Sequence, residues 1–278
     1  MSLRALALDW SLDGPTGVTF LVVVLAAAIL YLLAAEQGRR RDRRGRRWPS
    51  NRTAFFLAGL AVLVVDLYSG IGTEADQRLS VHMVEHMIMW LVVAPLLAAG
   101  APVRLAFYAL PRSGRRTLAR CLRSRPVSVI TGPVGSVSLF SAVLLIAHLP
   151  AVYGLALSND YAHEIEHGLF LLTSLLVWAP IIGVDPLPHR PSPRGQVACM
   201  VACMVPMAMV AVWLSSAPSP VYGHYVVELG PAALHDQRVA AVIMLVGGLP
   251  GFAVPALMRA RTPRRVAPAR LRSDGARV

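Results

Sequence analysis

The chain has 278 residues, of which 55% are hydrophobic and only 15% are charged, and its mean hydropathy is +0.56. A water-soluble domain of this length rarely shows that balance, so the composition indicates a membrane protein. The net charge of +12 is the balance of 27 arginines and 15 acidic residues, with no lysine anywhere in the chain. The missing lysine excludes a retinal protein, which needs a lysine Schiff base, and a standard phosphate-binding loop, which needs Gly-Lys.

Seven apolar runs are long enough to cross a bilayer core about 30 Å thick, which takes roughly 20 helical residues. Because unpaired backbone groups are costly in hydrocarbon, runs of this length predict helices rather than strands. The sequence therefore predicts an all-α integral membrane protein, a seven-transmembrane-helix bundle whose polytopic domain covers residues 1–260. The runs cover about residues 16–35, 53–72, 83–101, 127–149, 162–183, 195–215 and 237–258.

Arginines crowd alternate loops of this seven-helix bundle. Residues 39–52, 104–125, 190–194 and 259–277 together hold 24 of the 27 arginines. The positive-inside rule makes these segments cytoplasmic, with the N-terminus outside and the C-terminus inside. We therefore expect the basic face to contact anionic membrane lipids and expect no nucleic-acid partner. Residues 261–278 form a basic cytoplasmic tail that is expected to be disordered.

Histidines gather on the predicted outer side. Seven of the eight map to outer helix ends or outer loops, and only His189 lies in a cytoplasmic loop. The third helix opens with His82 and His86, and the fifth with His163 and His167. Histidines at i and i+4 share one helix face, so both imidazoles of a pair can reach one ion. These four histidines are the candidate metal ligands; anchoring of imidazoles at the membrane interface is the alternative.

Other polar and soft side chains accompany the histidines. We expect Glu85, Glu164 and Glu166 to orient the imidazoles or offset charge. Asp66 is costly at membrane depth, so it should face a polar interior or a histidine. Imidazole suits zinc and copper, and nearby methionines would add thioether donors for cuprous copper.

Three cysteines lie on the cytoplasmic side of the predicted bundle, where no structural disulfide is expected. Cys199 and Cys203 are one turn apart in the sixth helix, among several methionines. This arrangement is typical of core packing, with a soft-metal path across the membrane as the alternative.

The third and fifth helices also share an Ala-Pro motif. Residues 94–97 read Ala-Pro-Leu-Leu, and residues 179–182 read Ala-Pro-Ile-Ile. A weak parallel repeat of this kind would bring the two histidine pairs to a common interface, although chance similarity between two apolar helices explains the motif equally well.

Two further functions fit some of these residues. His163-Glu164-x-x-His167 matches the zinc-protease pattern, but the sequence shows no third-ligand motif. Two histidines on facing helices could also bind haem axially, which makes a membrane haem or electron-transfer protein the main alternative. The histidines form one layer, whereas transmembrane electron transfer usually needs redox centres at more than one depth.

A series of motifs occurs in a fixed order along the chain. The motifs are His82-x-x-x-His86, Ala94-Pro95-Leu96-Leu97, Gly100-Ala101-Pro102, His163-x-x-Glu166-His167, Trp178 and Asp236-Gln237. In the order of these motifs, and over residues 50 to 258, the chain resembles the CtaG family of cytochrome c oxidase assembly factors. After Asp236-Gln237 the family pattern has a glycine and a tryptophan, where this chain has Ala241 and Leu245.

The resemblance implies a multi-pass protein of the bacterial plasma membrane that aids copper delivery to cytochrome c oxidase subunits and is not an enzyme. His82, His86, His163 and His167 would handle the copper ion, with Asp236 in a supporting role. Acidification toward the ordinary histidine pKa, about 6.5, should then weaken metal binding. A metal-free assembly scaffold is a further alternative, and self-association into a homo-oligomer stays open.

Overall fold

The computed structural model describes residue 10, residues 14–41 and residues 48–252, and these ranges contain helices but no β-strand. A π-helix, Met89–Val93, joins α4 to α5, and 3-10 helices cover Gly230–Ala232 and Leu249–Phe252. The α-helices are α1 Gly14–Arg41, α2 Ser50–Tyr68, α3 Gly70–Ala75, α4 Leu79–Ile88, α5 Ala94–Ala99, α6 Pro102–Ala109, α7 Arg112–Leu122, α8 Arg125–Ile130, α9 Pro133–Ala147, α10 Pro150–Ser158, α11 Asp160–Ile182, α12 Pro193–Ser216, α13 Gly223–Leu229 and α14 Ala233–Gly247.

Among the described residues, six helical segments are long and apolar enough to cross a membrane, and a seventh is counted if the bent pair of α9 and α10 forms one span. The prediction of an all-α polytopic membrane protein is therefore confirmed. The orientation of the termini stays a prediction, and the tail at 261–278 lies outside the described residues. The single spans are Thr16–Arg40, Ser50–Tyr68, Leu79–Ala109, Asp160–Ile182, Pro193–Ser216 and Gly223–Gly251.

The sequence predicts one helix over the fourth apolar run, residues 127–149, and the structure differs from this prediction. The structure begins α9 at Pro133, ends it at Ala147, and turns the chain by 74° into α10. Leu149 is extended, with φ −63° and ψ 132°, because the ring of Pro150 disfavours helical geometry in the residue before it. The bend places α10 across the end of the bundle that holds the histidines.

Aromatic residues fill the middle of the bundle. α11 packs against α5 and α9, and α12 packs against α9 and α14. The ring of Trp90 stacks on Phe140 at 4.3 Å between centroids and lies 5.6 Å from the ring of Trp178. Close helix contact also needs glycine, since a Cβ at Gly100 would lie 2.7 Å from the Cβ of Phe56.

The chain turns between α5 and α6 at a well-bonded corner. Ala101 adopts a left-handed conformation there, with φ 54° and ψ 54°. The Tyr31 hydroxyl donates to the Gly100 carbonyl at 2.7 Å, and the Arg52 guanidinium donates to the Ala99 carbonyl at 2.7 Å. These bonds satisfy carbonyls that the end of α5 leaves without helical partners.

The first turn of α6 is held by the loop that follows α11. Asp185 in that loop accepts the backbone N–H of Arg104 at 2.7 Å and that of Val103 at 3.4 Å. Burial raises the pKa of Asp185, and the two amide hydrogen bonds oppose that rise. The carboxylate thereby ties the third span to the loop after the fifth.

Candidate metal centre

The first histidine pair lies on α4. His82 and His86 are one turn apart and buried, with 1% and 2% of their surface exposed, and their ring centroids are 4.3 Å apart. A shared helix face at i and i+4 explains the pairing, as the sequence predicts. Both side chains point into the bundle rather than toward lipid.

The second pair lies on α11. The Asn159 side chain caps this helix by accepting the Ala162 N–H at 3.1 Å, which sets where the helix begins. His163 then falls in the first turn and is half-buried, whereas His167 lies one turn deeper and is buried. Their ring centroids are 4.4 Å apart.

The bundle brings the two pairs together. Ring centroids lie 5.5 Å apart between His86 and His167, 5.7 Å between His82 and His163, and 5.8 Å between His82 and His167. One nitrogen from each of His82, His86 and His167 lies within 4.8 Å of the other two. His163 stands beside this trio, closer to the surface.

The nitrogens of this cluster lack conventional partners. Both nitrogens of His82 and the Nε2 atoms of His86, His163 and His167 are buried, and none has a hydrogen-bond partner among the residues that the structure describes. A buried polar atom without a partner costs free energy, so such groups need an explanation, for which metal ligation is one candidate. Three neutral imidazole nitrogens are suitable ligands for copper or zinc. Small side-chain rotations would let one ion contact all three.

Two glutamates contact the cluster. Glu85 Oε2 lies 3.3 Å from His167 Nε2 and 3.8 Å from His82 Nδ1, and Glu166 Oε1 lies 4.0 Å from His82 Nε2. Both carboxylates are buried. Their positions suit the expected role of orienting imidazoles and offsetting the charge of a cation.

Asp66 on α2 is buried, and its two carboxylate oxygens find no hydrogen-bond partner in the described part of the chain. That Asp66 faces a polar interior or a histidine stays a prediction.

Asp236 on α14 forms hydrogen bonds to α4 rather than to a histidine. Its carboxylate accepts the Ser80 N–H at 3.1 Å and the Ser80 hydroxyl at 2.5 Å. The N–H groups in the first turn of a helix have no partner within that helix, and an acidic group from a neighbouring helix satisfies one here. Asp236 thus sets the start of the helix that carries His82.

No site role was predicted from the sequence for Ser80, Tyr153 or His148, although His148 is one of the seven outer histidines. The Tyr153 ring meets the His82 ring edge-on at 5.4 Å between centroids, and the His148 ring stacks against Tyr153 at 6.3 Å. His148 bonds the Leu144 carbonyl through Nδ1, which makes its buried Nε2 an acceptor. The bend at Pro150 brings the Tyr153 ring back to the site. The apolar pattern of the sequence carries no sign of this bend, so the contact could not be predicted.

The cysteines and methionines of α12 lie outside the histidine cluster. Cys199 and Cys203 are buried free thiols, and Cys121 is an exposed one. The thioether of Met204 packs against Gly248 and that of Met200 faces Gly251, both in the last span. These contacts suit the core packing that the sequence favours for this helix.

The fold and the site together define a class: a polytopic helical membrane protein with a buried histidine and carboxylate cluster at the N-terminal ends of two spans. The family model described as cytochrome c oxidase caa3 assembly factor (Caa3_CtaG) matches residues 29–265, and the chain belongs to this family. The resemblance in the motifs is thus confirmed, over more of the chain than the motifs span.

Mycobacterial proteins are among the relatives. The chain is 32% identical over 169 residues to the uncharacterized proteins Mb0105 of Mycobacterium bovis and MT0111 of Mycobacterium tuberculosis, a match that covers 58% of this chain and 26% of each relative. It is 28% identical over 202 residues to the uncharacterized protein ML1998 of Mycobacterium leprae, covering 70% of this chain and 30% of that protein. The chain thus spans about a quarter to a third of the curated relatives it matches. No solved structure matches it significantly.

Proposed function

We propose that this protein assists cytochrome c oxidase assembly in the bacterial plasma membrane by holding a copper ion at its histidine cluster and passing that ion on. The observation that carries this proposal is the trio of buried nitrogens from His82, His86 and His167, within 4.8 Å of one another. Membership of an oxidase assembly family supports the destination of the ion. We propose further that the protein is not itself an enzyme.

The donor set supports transfer by ligand exchange. Three neutral imidazoles would bind the ion and leave a coordination position free for an incoming ligand. Glu85, whose Oε2 lies 3.3 Å from His167 Nε2, would balance the charge of the cation. No covalent chemistry is needed, because the ion passes from one set of ligands to another.

A haem-binding function finds less support. The cavity beside the histidines holds about 100 Å³, and pockets that bury even drug-sized ligands span roughly 300–1,000 Å³.

The direct test replaces His82, His86, His163 and His167 together by alanine and measures copper in the purified protein and in the oxidase of the same cells. We expect the variant to lose bound copper and the oxidase to lose copper in parallel. His235→Ala is the matched control, since this exposed histidine lies at the start of α14 outside the cluster. Normal copper in the oxidase with the four-alanine variant would leave a metal-free scaffold as the function.

The same preparation distinguishes a copper carrier from a haem protein and from a zinc protease. A haem protein would show a Soret band on purification. A zinc protease would lose peptide cleavage with Glu164→Gln alone, because that glutamate would activate the attacking water. A copper carrier shows neither result.

A further inference from the structure

A cleft leads from the surface of the bundle to the histidine cluster. It lies between the start of α1, the end of α2, α3 and the start of α11. Asp76 and Asp160 on its wall are exposed, whereas Glu85 and His167 on the same wall are buried. The cleft therefore joins the solvent-facing rim to the side of the candidate metal centre.

One face of α11 lines the cleft with donors in a graded order. Asp160, His163, Glu164 and His167 stand at i, i+3, i+4 and i+7, so they form one stripe along the helix. All four line the cleft. Exposed carboxylate comes first, a half-buried glutamate and histidine follow, and the buried His167 comes last.

The floor of the cleft carries polar atoms that point to a ligand independently of the acidic rim. His167 is 3% exposed and Glu85 is 1% exposed. His167 Nε2, Glu85 Oε2 and His163 Nε2 have no hydrogen-bond partner within the described ranges. The rim carboxylates therefore open onto unused nitrogen and oxygen donors rather than onto a packed apolar core.

We propose that this cleft is the entrance through which a copper cation reaches the histidines, and that Asp160 and Glu164 draw the ion in and pass it along α11 to His163 and His167. The proposal rests on the proposed copper-carrier function. The cation moves by ligand exchange, first between carboxylate oxygens and then onto imidazole nitrogens, with no bond broken other than those to the ion.

The charge of the cleft wall would raise the rate at which the cation enters. The described wall includes no arginine and carries the exposed carboxylates of Asp76 and Asp160 at its rim, with the carboxyl groups of Glu164 and Glu85 deeper. A cleft lined by one sign of charge focuses the field and raises the association rate of the opposite charge by a factor of about 10 to 1,000. Asp160 and Glu164 therefore act on the rate of metal uptake, whereas the buried imidazoles set the amount held.

The test uses the full chain in uncharged lipid nanodiscs, with Cu²⁺ as the probe and the quenching of tryptophan fluorescence followed by stopped flow. We expect the double variant Asp160→Asn with Glu164→Gln to take up copper at least about fivefold more slowly at low ionic strength. With Asp160→Asn alone, the copper bound per protein at equilibrium should match the unaltered chain. The rate difference should shrink at high ionic strength, where screening weakens the field.

Glu228→Gln is the matched control, because this exposed carboxylate lies in α13, off the cleft wall. An unchanged uptake rate in the double variant would overturn the entrance while leaving the copper site intact. Loss of copper at equilibrium with Asp160→Asn alone would also overturn it, by making that carboxylate a ligand. If the unaltered chain binds no copper, the proposed function itself fails, and the entrance fails with it.

Discussion

The two ends of the third and fifth spans hold their polar groups in opposite ways. At the end away from the histidines, the carbonyls of Ala99 and Gly100 and the carboxylate of Asp185 each have a partner within 2.7 Å. At the histidine end, both nitrogens of His82 and the Nε2 atom of His167 are buried and find no hydrogen-bond partner in the described structure. An unsatisfied buried polar group costs about 1–3 kcal/mol, so the hydrogen bonds of the first end stabilise the fold, whereas the second end is where we propose that a ligand binds.

Backbone packing follows the same division. α5 lies close against α11, while α4 at the other end of the span approaches α11 less closely. The imidazoles of His82 and His167 occupy the wider gap, 5.8 Å apart between centroids. The wider separation of α4 and α11 thus makes room for the histidines. The close packing of α5 against α11 fixes the position of the two spans relative to each other.

The largest expected effect sharpens the comparison at the histidine end. His167→Ala removes one nitrogen of the trio and should lower copper affinity at least about 100-fold. Mutation of a residue that only hydrogen-bonds to a metal ligand already lowers metal affinity about 10–100-fold, and loss of a ligand should cost more. His163→Ala should cost about tenfold or less, since that ring lies outside the trio. Competition against a copper chelator measures both, with His235→Ala as the control. Equal losses for the two variants would assign His163 to the ligand set.

A smaller effect is expected where the end of one helix is held by another. Asp236→Asn weakens both bonds to Ser80 and should reduce copper affinity about tenfold by loosening the first turn of α4. Ser80→Ala removes only the hydroxyl bond and should have a weaker effect in the same direction. Copper titration of both variants checks the order. A larger loss from Ser80→Ala would contradict the positioning role of Asp236.

The smallest effect should fall on stability alone. Tyr31→Phe removes the hydrogen bond to the Gly100 carbonyl and should lower the free energy of unfolding by about 1 kcal/mol, with copper affinity unchanged. Unfolding in detergent micelles measures the first quantity and chelator competition the second. Tyr161→Phe, at an exposed position, is the control. A fall in copper affinity with Tyr31→Phe would break the division between the two ends.

Local patterns in the sequence were enough to predict the membrane class, the helical fold and the four histidines. Lipid demands long apolar helices, and a spacing of four residues places His82 with His86, and His163 with His167, on one helix face whatever surrounds them. The bend between α9 and α10 escaped prediction because hydropathy averages over the residues around Pro150. The contacts of Tyr153 and His148 with the site escaped with it.

Tertiary structure alone decided which donors meet. Asp236 and Ser80 are 156 residues apart, and the bond between them depends on how α14 packs against α4. The separation of the trio from His163 likewise depends on how far α4 and α11 spread and how deep each ring lies. Sequence determines which side chains share a helix face, because that follows from helix geometry. Distances between faces follow from the packing of the whole bundle, which no local pattern encodes.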